Sequence, residues 1–223
     1  MRSSQQVKLI ALLLLPATCL SGSAGAQSHS RSASSAPGVF GYYLLTLSWS
    51  PEFCATHAGS APASECGPGH RFGFVVHGLW PQNENGPYPR FCAPASPVAH
   101  DTVQRLLAIM PDRSLIQHEW SEHGTCSGLD AQSYFATIEK AFANLQIPPE
   151  YRASAPSAPA SPAAIEQEFA GANHAPPSAF RIACSGSHFV ALQVCLTKDL
   201  QYRQCGSGLR DCRAPRVDLR PPH

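Results

Sequence analysis

No stretch of the 223-residue chain is apolar for long enough to cross a membrane. The run Leu9–Leu15 stops far short of the roughly 20 residues that a span needs. Charge of either sign is also scarce: 16 Lys and Arg face 15 Asp and Glu, a formal net of +1. A chain so near neutrality does not hold a polyanion by bulk electrostatics, so any nucleic acid must be gripped at a local site. No two cysteines form a C-x-x-C pair, which removes the usual framework of a zinc site. There is no internal repeat. Beyond Ala26 there is also no N-x-S/T sequon, which leaves one argument for a glycosylated product missing.

What is present at the start is a targeting pattern. Arg2 and Lys8 precede the apolar run, and Ala24-Gly25-Ala26 supplies a small-residue cleavage site, so residues 1–26 are expected to be a secretory signal peptide. A lipoprotein reading of Cys19 fails on the residues before it, Pro16-Ala17-Thr18. Cleavage after Ala26 leaves 197 residues, 14 basic against 15 acidic, and eight cysteines. An even cysteine count behind a signal peptide points to disulfides in an oxidising compartment, secreted or periplasmic, with no membrane anchor. Eight cysteines allow 105 pairings; the working set is Cys54–Cys66, Cys92–Cys126, Cys184–Cys212 and Cys195–Cys205.

The expected organisation is a flexible Ser/Ala-rich leader over 27–38 and a single domain over 39–223, monomeric in solution. YYLLTLSWS (42–50) and FGFVVHGLW (72–80) have the composition of buried strands, the second ending where Gly78 and Pro81 oppose its continuation. VAHDTVQRLLAIM (98–110) and SYFATIEKAFANL (133–145) carry helical periodicity, with Ser133 as N-cap of the latter. Residues 153–164 are a Pro/Ala/Ser loop. FRIAC and HFVALQVCL alternate as strands about a turn at Ser185-Gly186-Ser187. The fold class expected is α+β, a mainly antiparallel sheet with helices grouped in the middle of the chain.

Three of the ten histidines sit in dense mixed surroundings: His77, at the end of the second strand, and His118 and His123 in HEWSEHGTC. Alone, His77 is more simply a structural residue. HEWSEHGTC nearly spells the zinc-protease pattern His-Glu-x-x-His, with one residue too many. Two helical ligands of one ion need i, i+4 spacing, about 40° apart, whereas i, i+5 sets them about 140° apart. The metal reading fails, and no cofactor is expected. On a helical wheel His118, Glu122, Glu119 and His123 share one arc, and Trp120 falls away from it to anchor the helix. A solvated helix face accounts for the glutamates but not for the two imidazoles beside them. Imidazoles flanked by carboxylates suit a reaction in which one proton is taken and another given, on an anionic substrate such as a phosphodiester.

Taken together, FVVHGLWPQ and HEWSEHGTC resemble the two active-site segments of the RNase T2 family, whose usual forms are HGLWP and HEWxKHGTC. YYLLTLSWSPEFC is similar to the family's opening strand and first cysteine, and LQVCLTKDLQYRQC to its closing hairpin, so the resemblance extends from Tyr42 to Cys212. It implies a metal-independent endoribonuclease acting on single-stranded RNA through a 2′,3′-cyclic phosphate to 3′-phosphate ends, inert toward DNA. His77 matches the general acid, His123 the general base, His118 the phosphate-binding histidine, and Glu119 the acid that stabilises the pentacovalent intermediate. Trp80 matches a base-stacking aromatic, with a core tryptophan as its plainer reading, and Tyr88 is expected to complete the platform with low base specificity. Gln82 stands where several members carry Asp, so base preference does not transfer. The resemblance also supports the Cys92–Cys126 bridge.

One departure stands out. Glu122 occupies the position where the family usually has lysine, and a carboxylate facing a phosphate opposes binding. It would also hold a neighbouring histidine protonated to higher pH. Slower turnover is expected unless Glu122 pairs with Arg90, Arg105 or another cation. Two rivals remain: a secreted binding module that has lost activity, and a metal-dependent phosphodiesterase.

Overall fold

The computed structural model describes residues 36–152 and 159–221. The expected signal peptide, residues 27–35 of the leader and residues 153–158 of the 153–164 loop lie outside the described residues. The leader's last residues are held rather than loose, with the Gly38 amide donating to the Cys126 carbonyl at 2.9 Å.

Four antiparallel strands, β1 (Tyr42–Trp49), β2 (Phe74–Gln82), β3 (Phe180–Ser185) and β4 (His188–Leu196), form one sheet in the order β2-β1-β4-β3. Two short helices, α1 (Ser50–Thr56) and α2 (Ala63–Cys66), follow β1. Between β2 and β3 lie α3 (His100–Leu106), α4 (Arg113–Glu122), α5 (Ala131–Asn144) and α6 (Pro162–Asn173). The α+β expectation thus describes the fold. Central β1 is buried on both faces, which explains its unbroken apolar run. Tyr43, Leu45, Leu47 and Trp49 enter the main core, while Tyr42 and Leu44 pack with Cys195 and Cys205 on the other side.

Several local expectations are corrected. β2 continues through Gly78 and Pro81 because it is an edge strand, where proline's missing donor does not break an inner ladder. α3 is only seven residues long, although Met110 beyond it is still fully buried. The cap of α5 is Asp130, whose carboxylate accepts from the Ser133 amide at 2.7 Å; Ser133 lies inside the helix. The loop predicted over 153–164 gives way to α6 at Pro162, with Ser161 capping and proline in the first turn, where its absent N–H has no intrahelical acceptor. That helix buries Ile165 and Phe169 in the core and has no counterpart in the sequence reading.

The disulfides are Cys54–Cys66, Cys92–Cys126, Cys184–Cys212 and Cys195–Cys205, the four pairs of the working set. Of these, Cys92–Cys126 links the two histidine-bearing stretches. It ties the segment after β2 to the turn after α4, beside a Phe91 amide that donates to the Glu122 carbonyl at 2.8 Å. Its partners are 34 residues apart in sequence. Replacing both cysteines by alanine is expected to lower unfolding free energy by about 3 kcal/mol, measured by urea denaturation; a midpoint equal to the parent's would show that the bridge constrains nothing.

Candidate active site

His77 owes its placement to a break in strand pairing. Thr46 pairs with Gly78 and Leu47 with Val76, so His77 is an extra residue on β2 with no partner on β1. The bulge shifts the strand's parity. Phe74 and Val76 reach the main core before it, and Leu79 after it, a spacing that strict alternation forbids. It also turns the imidazole out of the regular pattern. Ser48 on β1 holds its Nδ1 at 3.2 Å, which leaves Nε2 3.6 Å from Glu119 Oε1.

Glu119 comes from α4 and is almost fully buried, 1 % exposed. The Trp80 indole N–H donates to its Oε2 at 2.7 Å. So close an approach of β2 and α4 needs a residue without Cβ at position 78. A Cβ there would lie 1.9 Å from Glu119 Oε2 and 2.6 Å from the indole nitrogen. Burial drives the Glu119 carboxyl up to about 8, with Glu122 adding to the effect and the indole hydrogen bond opposing it. At neutral pH the group is therefore a neutral acid. Its Oε1 has no hydrogen-bond partner among the described residues. The His77–Glu119 contact is accordingly not an ion pair at that pH, because His77 is itself shifted toward its neutral form. Enclosure lowers its pKa, His118 lowers it further, and Glu122 pulls the other way. The rest of the His77 side chain, 41 % of its surface, reaches solvent.

α4 ends at Glu122, so His123 is its C-cap and not a residue of its last turn. With φ −113° and ψ −45°, it leaves the helical wheel, and its ring stacks 5.1 Å from that of Trp80. Gly124 permits the sharp exit, because a Cβ there would meet Trp120 at 2.3 Å. The solvated-face reading is overturned: Glu119, Glu122 and His123 are all buried, while His118 keeps 54 % of its side chain exposed. Burial pushes the His123 imidazole down to about 3, reinforced by His118, His77 and Arg90. The expectation that Glu122 would hold His118 or His123 charged to higher pH is thereby reversed at His123.

Glu122 is not left unpaired. Its Oε1 lies 2.7 Å from Arg90 Nε and 3.7 Å from His123 Nε2, and its Oε2 lies 3.1 Å from His118 Nε2. Arg105 pairs instead with Glu139 on α5. Tyr88 stands 5.8 Å from the His123 ring, and with Trp80, Gln82 and Tyr42 it borders a cavity of about 330 Å³. Gln82 is buried there, 7 % exposed. Trp80 packs against the Tyr42–Leu44 cluster, and its ring also meets those of His77 and His123. His77, His118, Glu119 and His123 thus share one site with Trp80, Tyr88 and Glu122. Ser48 and Gly78 were missed as site residues, since their parts depend on contacts across strands and layers. Among the described residues, Cys54, Glu65 and Cys66 are close enough together to hold a metal ion, but the two sulfurs are joined to each other.

A family model, described as Ribonuclease T2 family, matches residues 40–205, a stretch that contains every one of these side chains. The chain belongs to the Ribonuclease T2 family. Over 121 residues it is 43 % identical to a protein named probable ribonuclease from Haemophilus influenzae, covering 48 % of this chain and 44 % of that one. Over 97 residues it is 42 % identical to a ribonuclease of Aeromonas hydrophila, covering 44 % and 42 %. The matched stretch therefore spans less than half the length of these two relatives. Among solved structures, an RNase-related protein from Calystegia sepium superposes with a TM-score of 0.63 at 23 % identity, covering 82 % of this chain and 98 % of the other. Trichomaglin, described as an S-like ribonuclease, gives 0.67 at 20 %, covering 82 % and 98 %. At such identities these neighbours speak for the fold alone.

The state of Glu119 has a measurable consequence. Its folded pKa of about 8 lies above the ordinary 4.5, so the native state holds this proton more tightly than the unfolded chain. The resulting stabilisation is full below 4.5 and is lost as pH rises through 8. Glu119→Gln should remove that component. The stability difference between parent and variant, from urea titrations across this range, is expected to shift against the parent as pH rises; parallel curves would show an ordinary carboxylate.

Proposed function

We propose that the chain is an endoribonuclease that cleaves single-stranded RNA by internal transesterification. The observation that carries this reading is the meeting of a neutral buried imidazole (His123), a solvent-edged imidazole (His77) and a buried carboxyl with one unpartnered oxygen (Glu119 Oε1) in one site. His123 takes the proton of the ribose 2′-hydroxyl. The oxygen attacks the adjacent phosphorus, and the bond to the 5′-oxygen breaks as His77 protonates that leaving group. Glu119, protonated at neutral pH and below, donates a hydrogen bond to the phosphorane oxygens, and His118 steadies the phosphate from the exposed side. A 2′,3′-cyclic phosphate results, and slower attack by water opens it to a 3′-phosphate.

The nucleophile is part of the substrate and lies next to the phosphorus, so no metal ion is required to supply or position it. DNA lacks that hydroxyl and is inert. Trp80 and Tyr88 offer π-faces that any base can use, which supports low base specificity. Four disulfides fit an oxidising destination, and no helix among the described residues is long and apolar enough to cross a membrane. We read residues 1–26 as the export signal and 39–223 as one monomeric catalytic domain, secreted or periplasmic.

The pKa directions set the working pH. His123 faces His118, His77, Arg90 and Glu122 and is a competent base above about 3. His77 faces Glu119, His118 and Glu122 and is a competent acid only below the ordinary 6.5 of histidine. The pH profile of kcat/KM is expected to be a bell lying on the acid side of neutrality. Alanine in place of either histidine should lower kcat by about 10²- to 10⁴-fold. Incubation of purified protein with RNA and with DNA, each with and without EDTA, tests the whole reading. RNA-only cleavage that survives EDTA and leaves cyclic phosphate ends is the expected outcome. Loss with EDTA, or cutting of DNA, would replace it by a metal-dependent phosphodiesterase, and no cleavage at all by a binding module.

A further inference from the structure

Glu122 sets a problem that the proposed reaction does not solve, since a phosphodiester entering this site meets a carboxylate. The geometry around it is specific. Three nitrogens from three places converge on its two oxygens: Arg90 Nε at 2.7 Å, His118 Nε2 at 3.1 Å and His123 Nε2 at 3.7 Å. Of these groups Arg90 is the one that is always charged. It comes not from α4 but from the segment that follows β2.

That segment is built to hold its position. Phe91 adopts φ +49°, a left-handed conformation that is costly for a large aromatic residue. The strain is held by the Phe91 amide donating to the Glu122 carbonyl and by the next residue, Cys92, bonded to Cys126. The Arg90 guanidinium lies near the faces of Tyr88, at 5.8 Å, and of Phe91, at 5.5 Å. Half of its side chain is nevertheless open to solvent. An arginine engaged through Nε retains the two terminal amino groups as a planar fork, the geometry suited to two oxygens of one phosphate.

We propose that Arg90 binds the scissile phosphate, and that Glu122 is a positioning residue that holds the guanidinium beside His118 and His123. The pair then does the work of a single cation on the helix: the charge arrives from the opposite segment, and the acid aligns it. This inference rests on the ribonuclease function proposed for the site. Glu122 accordingly contributes orientation: the pair is neutral overall, and the guanidinium N–H groups on its free edge present their positive ends to the substrate.

The test uses the full protein and two readouts. One is single-turnover cleavage of a short RNA; the other is equilibrium binding of the same oligonucleotide with a 2′-deoxy sugar at the cleavage position, which cannot react. Arg90→Gln is expected to reduce kcat/KM by about 100-fold. It should also make the slope of log K against log salt shallower by about 0.7, the loss of one phosphate contact on a single strand. Arg90→Lys should keep the slope and recover part of the rate, as a point charge replaces the fork. Glu122→Gln should keep the slope and lower kcat while KM changes little. A merely structural role for Arg90 would leave the salt slope of Arg90→Gln at the parent value, and that result would overturn the proposal whatever the rate. A Glu122→Gln rate equal to the parent's would overturn the positioning role. Failure of the parent protein itself to cleave RNA would instead sink the ribonuclease reading, while the salt slopes would still report on Arg90.

Discussion

The contact between the Trp80 indole and the Glu119 carboxyl, at 2.7 Å over a glycine, sets the distance between the sheet edge and α4. Everything in the site is positioned from that contact. β2 brings His77 and Trp80; α4 and its exit turn bring His118, Glu119, Glu122 and His123. The two elements meet where Gly78 lets a buried acid reach the backbone of the strand. Tyr134 of α5 reinforces the junction, its hydroxyl donating to the Leu79 carbonyl at 2.9 Å. The acid's neutrality follows from the same closeness, because water is excluded where the layers touch.

Much of this was legible in the residues. The two histidine-bearing segments announce themselves by composition, and the strands by apolar runs between turn residues. What escaped reading depends on partners distant in the chain. Pro81 looks like a strand terminator until the strand is known to lie at the sheet edge. His77 looks like an ordinary strand residue until its lack of a partner on β1 is known. α6 hides in a Pro/Ala/Ser-rich stretch whose composition suggests a loop, although Ser161-Pro162 is a sound helix start once the core behind it is in place.

The helical wheel failed for an instructive reason. It gathered the right residues but carried the helix through His123 and gave no account of the burial of that face. The chain leaves the helix at His123, and the face in question is packed against β2. Burial then reverses the sign of the histidine's shift: a carboxylate nearby favours the imidazolium, but desolvation and the neighbouring positive groups outweigh it. The acid at position 122 likewise has a meaning in isolation different from the one it has beside Arg90. The sequence offers Arg90, 32 residues earlier, as one candidate cation alongside Arg105; the bridge between Cys92 and Cys126 is what makes it the neighbour.

That bridge ties the working site to its surroundings in another sense. In a reducing compartment the two sulfurs are thiols, and one backbone hydrogen bond is left to secure the strained Phe91 turn against the helix end. Residues Tyr88 to Phe91 then rest beside His123 on that bond and on the Arg90–Glu122 contact alone, with no covalent tie. On the proposed ribonuclease reading, a chain with both thiols free would carry a less firmly assembled site. Oxidation of that pair would then complete the fold and the site together, so that one covalent step fixes both.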